Sequence, residues 1–233
     1  MGNKNTTNIS KDDIAVFSCA RLNSQRCSNK MIRDFGGTTL IDIFLSKLKC
    51  LEMNTFFAGY ESLIKDKCKD HGIDFIQRTK QSSNSEVAKE IYNFLENVDY
   101  KYLLMVNACL PFLRLGTIKD FSIKCDELRK PLFAVFRKNN YFMSMTNEPY
   151  NYDNDIRTIN TKYVNPVREF AHIFYFYERE FFLENGFYWN WDEVEYEEVP
   201  HGIESLDIDT EEDFEMARLL WENKQVKNKY IDY

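Results

Sequence analysis

The 233-residue chain has no run of Lys and Arg, no Cys-x-x-Cys pair and no apolar stretch of transmembrane length. Each absence closes a class of function. The formal net charge is −7, and without clustered basic residues a nucleic-acid backbone, which is gripped through many phosphate contacts, is not the expected partner. Six cysteines (Cys19, Cys27, Cys50, Cys68, Cys109, Cys125) show no zinc-ligand spacing with each other or with His. They read as reduced thiols of a cytoplasmic protein with no membrane association. The first residues, Met1 to Lys11, are polar and lack the apolar core of a secretory signal. The glycosylation patterns Asn5-Thr6-Thr7 and Asn8-Ile9-Ser10 therefore carry no implication. There is no internal repeat and no low-complexity tract.

What is present is the mix of a globular protein, 44% hydrophobic and 29% charged. Nineteen Phe and 14 Tyr supply a large core and an aromatic surface. An anionic small-molecule ligand stays open, because such a site needs a few local cations and backbone N–H groups rather than a basic protein.

The first half of the chain alternates. Short apolar runs at Ile14 to Phe17, Thr55 to Ala58, Ile73 to Ile76 and Tyr102 to Val106 read as strands. Between them, Thr38 to Leu51, Glu61 to Asp70 and a segment begun by Ser85 (Val87, Ile91, Phe94 and Leu95 on one face) read as helices, with Gly72 ending the second. This alternation predicts an α/β fold, a doubly wound, mostly parallel sheet, in one domain over residues 1–233. Such sheets bind ligands beyond the carboxyl ends of their strands, which singles out the loops after Phe17, Ala58, Ile76 and Val106. Past Pro131, Leu132 to Phe136 reads as a strand, Asn139 to Asn165 as irregular, and Phe170 to Phe182 as densely aromatic. Residues 135–190 thus form either a small β-rich extension at a subunit contact or part of an ordinary aromatic core. Glu204 to Ile208 reads as a strand, followed by a helix from Thr210 to about Asn223 with Thr210 as N-cap and Asp213 at N3.

Two segments carry chemistry. Ala20-Arg21-Leu22-Asn23-Ser24-Gln25-Arg26-Cys27-Ser28-Asn29-Lys30 follows the first strand and holds two Arg, one Lys and a hydroxyl. A triphosphate needs such a set, with Arg binding phosphate oxygens bidentately and Lys acting as a point charge; a solvated basic loop has the same composition. Asp207 and Asp209, two apart on an extended segment, point to one side. They can hold Mg²⁺, which takes hard oxygen ligands and keeps waters and substrate phosphates in its shell, or they simply end an acidic strand before a capped helix.

The Ala-Arg-x-x-Ser-x-Arg-x-x-x-Lys loop and the Asp-Ile-Asp-Thr-x-x-Asp-Phe segment at 207–214 resemble, in order and position, the signatures of the CMP-sialic acid and CMP-Kdo synthetases, a family of cytidylyltransferases. Asn107 to Phe112 and Glu169 to Phe182 are similar to its strand-four loop and its acidic-sugar segment. The resemblance spans nearly the whole chain and implies a Rossmann-like nucleotidyltransferase of GT-A type, working as a homodimer on CTP and an acidic sugar with Mg²⁺. It implies that Ala20, Arg21, Asn23, Ser24, Arg26, Lys30, Arg78 and Asn107 bind the nucleotide. Asp207 and Asp209 would hold the metal, and Arg21, Lys30 and Asp209 would serve catalysis. Lys162, Arg168, His172 and Arg179 are candidates for the sugar, though His172 reads first as a core-edge histidine with a satisfied hydrogen bond. The chain departs from the pattern where the family carries glycines: Leu22-Asn23 occupies those places, and Leu110-Pro111 ends an altered strand-four loop. Without glycine, backbone approaches phosphate less closely. A different base or acceptor, or a catalytically weak nucleotide-binding regulatory protein, are the competing expectations.

Overall fold

The computed structural model of the chain describes residues 13–233; the polar N-terminal segment and its two glycosylation patterns lie outside them. Seven strands form one sheet in the order β3-β2-β1-β4-β6-β5-β7. They are β1 (Ile14–Cys19), β2 (Asn54–Gly59), β3 (Asp74–Gln77), β4 (Tyr102–Val106), β5 (Leu132–Lys138), β6 (Val167–Glu178) and β7 (Glu195–Glu198). Every pairing is parallel except those of β6, which runs antiparallel between β4 and β5. This is the doubly wound, mostly parallel α/β sheet expected from the sequence.

The central strands β1 and β4 and the first five residues of β5 are apolar almost throughout because both faces are covered. On β1, Ile14 and Val16 pack into one core with Leu104, Phe176 and the helices α1 (Leu40–Lys49), α5 (Leu115–Leu128) and α7 (Glu211–Glu222). Ala15 and Phe17 pack into the other with Phe56, Leu103, Tyr177, Phe94 and Phe182. Each such Phe or Leu removed from water stabilises the fold by about 1.5–3 kcal/mol. α1 starts where Thr39 accepts a hydrogen bond from the Asp42 N–H, and α2 (Ser62–His71) ends at Gly72, whose φ of 71° is the left-handed geometry a glycine cap supplies.

Two expectations are corrected. Ser85 closes a helix rather than opening one: α3 (Lys80–Asn84) ends at Ser85, α4 (Ala88–Ile91) is a separate turn, and Val87 lies exposed between them. The Ser82-Ser83-Asn84 hydroxyls and amide bond back to local backbone and break the run. Glu204 to Ile208 is a 3-10 turn (Ile203–Ser205) followed by extended chain, not a strand. Of the two readings left open for the aromatic stretch, Phe174 to Tyr177 take the core one, buried in β6, a central strand.

Residues 139–166, between β5 and β6, contain an isolated bridge, Met143 with Pro149. Buried Asn151 ties them together: its Nδ2 donates to the Asn140 and Asn165 carbonyls (2.8 and 2.7 Å), and its Oδ1 accepts from Phe142 N (2.9 Å). Among the described residues, no helix is long and apolar enough to cross a membrane.

The winding fixes where a ligand site can lie. From β1 the chain steps outward through β2 to β3, then returns to place β4 on the other side of β1. The loops after β1 and β4 therefore diverge at their carboxyl ends and leave a crevice, the switch point of an open α/β sheet. Because β6 is antiparallel, its first half reaches the same end.

Candidate active site

The crevice is a cleft of about 570 Å³ lined by Arg21, Ser24, Arg26 and Lys30 of the β1 loop, Arg78 and Ser83 from β3 and α3, Cys109 of the β4 loop, and Asp209. Its two chemical segments lie 180 residues apart in sequence and meet here. Arg26 Nη2 donates to Asp209 Oδ1 at 3.0 Å, and Lys30 Nζ lies 3.6 Å from the same oxygen. Lys30 also donates to the Ile208 carbonyl. A second tie runs beside the first: Arg33 Nη1 donates to Glu211 at 2.5 Å and its guanidinium stacks 4.1 Å over Phe214.

The acidic segment is held from behind. Asn107, the first residue beyond β4, donates from Nδ2 to Asp207 Oδ2 at 2.9 Å and to the His172 carbonyl at 3.2 Å. Its Oδ1 accepts from Cys109 N, and the Cys109 carbonyl accepts from Ile208 N at 3.1 Å. Asp213, in the capping box of α7, accepts from the backbone N–H groups of Asp209 and Thr210. Asp207 and Asp209 therefore sit on chain fixed at both ends.

The charges strain against each other. Burial, and then the neighbouring carboxylate of Asp209, push the Asp207 carboxyl up to about 6. Its Oδ1 is buried and has no hydrogen-bond partner. Burial works against the charge of Lys30, but Cys109 and the carboxylates of Asp207 and Asp209 outweigh it and raise the lysine overall. Burial also raises the Cys109 thiol to about 11, so it is protonated at neutral pH and the carboxylates keep Lys30 charged. A buried, unpartnered carboxylate oxygen beside a second carboxylate suits a divalent cation. No group of three or more His, Cys, Asp and Glu among the described residues forms a metal cage. Two carboxylates are compatible with Mg²⁺, whose shell waters and phosphate oxygens can complete.

Other expected residues distribute unevenly. Arg21 Nη1 donates to the Ser83 carbonyl at 3.0 Å, and Ser24 Oγ accepts from Cys27 N. Arg78 is buried, with its guanidinium on Ser82 and reaching the Ala20 carbonyl at 3.5 Å, so it braces the cleft wall it lines. Asn23 is exposed and lies outside the cleft lining. The Leu22 N–H, in the loop where the expected glycines are missing, donates to Glu61 Oε1 at 3.1 Å. The grip on an anion here comes from side chains.

His172 is exposed at a bulge of β6. Val135 pairs with Phe170 and Phe133 with Tyr175, so residues 171–174 stand against Ala134 alone, and His172 has a φ of 51°. Its ring bonds to the Tyr175 hydroxyl and its carbonyl meets Asn107. Arg168, on the same strand, lies 5.3 Å over the Tyr196 ring and lines a broad groove of about 1450 Å³ with Arg137, Phe142, Tyr150 and Phe170. Lys162 stacks 4.7 Å over Tyr163 and lines neither space. Arg179 stands at the far end of antiparallel β6, bonded to Leu95 O and Glu180, and is removed from the site. Sequence reasoning passed over Ser83, whose polar surroundings carry no periodicity, and Glu61 and Arg33, whose partners lie 39 and 178 residues away.

A family model described as cytidylyltransferase matches residues 18–232. No curated protein matches the sequence. Among solved structures, a CMP:2-keto-3-deoxy-manno-octonic acid synthetase complexed with CTP superposes with a TM-score of 0.62 at 12% identity, covering 89% of this chain and 98% of its own. A 4-diphosphocytidyl-2C-methyl-D-erythritol synthase from Anaerococcus prevotii gives 0.63 at 14% identity, covering 90% and 98%. A cytidylyltransferase from Leptospira borgpetersenii serovar Hardjo-bovis gives 0.59 at 13%, covering 90% and 86%. At these identities the structural matches speak to the fold.

Proposed function

We propose that this chain, which belongs to the cytidylyltransferase family, transfers CMP from CTP to the anomeric hydroxyl of an acidic 2-keto-3-deoxy sugar of the sialic acid kind and releases pyrophosphate. The observation that carries the reading is the convergence of Arg26 and Lys30 on Asp209 at the switch point of the sheet. Cations for a triphosphate and a carboxylate for its metal share one cleft, and the family supplies the base.

In this reading Arg21, Arg26 and Lys30 bind the phosphates and stabilise the charge that builds on the leaving pyrophosphate. The sugar hydroxyl oxygen bonds to the α-phosphorus and loses its proton to water. The bond from that phosphorus to the bridging oxygen breaks, and its electron pair leaves on pyrophosphate. Asp207 and Asp209 would hold Mg²⁺, which when bound neutralises phosphate charge and acidifies the attacking hydroxyl. Asn107 holds Asp207 through Oδ2, and Lys30 holds the segment between the two acids through the Ile208 carbonyl. Ala20 and Arg78 form the wall for the nucleoside. Arg168 is the cation best placed for the acceptor carboxylate, since Phe170 and His172 connect its groove to Asn107. The exposed apolar residues Met143, Met145, Tyr150, Ile159 and Tyr163 on the 139–166 excursion suit burial against a second copy in a homodimer.

One observation favours a slower enzyme or a nucleotide-binding regulator: in the glycine-poor loop after β1, Glu61 takes up the Leu22 N–H. Pyrophosphate release tests both readings. The four NTPs are compared with Mg²⁺ across acidic keto sugars and polyol phosphates, for wild type and Asp209→Asn. CTP-selective release that needs an acidic sugar and is lost in the variant supports the proposal. Release only with a polyol phosphate moves the acceptor class, and CTP binding without release supports the regulator.

A further inference from the structure

Lys47 is the one lysine among the buried polar residues of the described chain, at 0% exposure on α1. Its Nζ donates to the carbonyls of Leu110 (3.2 Å) and Pro111 (2.8 Å), in the middle of the loop between β4 and α5. The ring of Tyr233 lies 5.8 Å away. No carboxylate pairs directly with it among the described ion pairs; burial lowers it to about 7, while Asp232 and Glu204 act to raise it. A lysine in such a place costs stability that an apolar residue of similar length would not.

The loop it holds is the one that orders the acidic segment. At its start, Asn107 binds Asp207 and the Cys109 carbonyl binds Ile208 N. At its end, Glu204 accepts from Arg114 N and the Thr117 hydroxyl, and Asp232 accepts from Leu115 N and Gly116 N at 2.7 and 2.9 Å. Between these anchors, Lys47 donates to both carbonyls; Leu110's also accepts from Leu113 N, while for Pro111's the lysine is the donor the structure shows. Glu204 lies three residues before Asp207, so the acidic segment and the loop are fastened to each other on both sides of the lysine.

We propose that Lys47 is a positioning residue: by holding the Leu110 and Pro111 carbonyls it fixes the loop from which Asn107 orients Asp207. The role rests on the transfer reaction proposed above, but the contact network does not, and the two are tested separately. In Lys47→Met the length is kept and the donors are lost. Hydrogen–deuterium exchange of peptides covering 107–117 and 204–210 is expected to speed up at least tenfold. In the turnover assay, kcat falls at least tenfold while KM for CTP stays within twofold. Unchanged exchange in both peptides overturns the proposal whether or not wild type turns over. Faster exchange with unchanged kcat in an active enzyme also overturns it, because the loop would then move without consequence. Where Lys47→Met fails to fold, Asp232→Asn loosens the same loop from its far end and must show the same exchange increase at 107–117 and the same fall in kcat; their absence refutes the role.

Discussion

Replacing Asp207 with Asn should make the protein more stable and less active. Asp207 Oδ2 accepts from Asn107, whereas Oδ1 is buried with no partner. Its carboxyl is raised from 3.8 to about 6, first by burial and then by Asp209. A folded-state value above the unfolded one means that ionisation opposes folding. The protein is relieved of this cost below about pH 4 and carries it in full above about pH 6. At about 1.4 kcal/mol per pH unit the rise corresponds to about 3 kcal/mol, and partial exposure of the residue reduces it to about 2. An asparagine keeps an acceptor for Asn107 and removes the charge. For a chain of this size, about 2 kcal/mol moves the melting temperature by about 4–8 °C. Thermal unfolding followed by circular dichroism at pH 7.5 should show that gain, and at pH 4 the two proteins should converge. Turnover should drop by two orders of magnitude or more. An unchanged or lowered melting temperature at pH 7.5, or a gain equal at both pH values, refutes the view that Asp207 is held charged at a cost to the fold.

Two further perturbations separate binding from folding. Arg26 is two-thirds exposed and its ion pair with Asp209 is on the surface, so Arg26→Ala should change stability by less than about 1 kcal/mol. The loss of a charge-assisted phosphate contact should raise KM for CTP about tenfold, as steady-state kinetics would show. Asn151→Ala removes three hydrogen bonds from the 139–166 excursion. It should cost about 1–3 kcal/mol and make that excursion the first site of limited proteolysis; an unchanged cleavage pattern would show that the segment is held by other means.

β1, β2 and β4 were legible as short apolar runs that the sheet buries and β3 through the half-buried Phe75 and Ile76, α1 because Leu40, Ile43, Phe44 and Leu48 recur at helical spacing, and α2 because Gly72 marks its end. The position of β6 was not. An aromatic run says that a segment is buried, but its antiparallel insertion between β4 and β5 depends on pairings from 29 (Lys138 with Val167) to 76 residues away (Tyr102 with Glu178), which no local pattern records. The same reversal carries Arg179 to the wrong end and leaves Arg168 and His172 near the site. Arg26, Lys30, Asp207 and Asp209 were found through motifs with matching spacing, and the fold brings them together. Lys47 gave no signal. A lysine near the end of a helix ordinarily points to solvent and complements the dipole, and only the loop packed against α1 shows that this one is enclosed. Glu61 was hidden in the same way, since the missing glycines hinted at a changed loop but not at the carboxylate that occupies the Leu22 N–H.

The most direct measurement is ³¹P NMR of the protein with CTP, Mg²⁺ and an acidic 2-keto-3-deoxy sugar. The account predicts that the CTP resonances give way to one phosphodiester signal of a CMP-sugar and an equivalent amount of pyrophosphate, with neither product formed by Asp209→Asn. CTP that binds yet remains intact with every acidic sugar supplied, or a CMP ester formed only with an uncharged or phosphorylated acceptor, would contradict it.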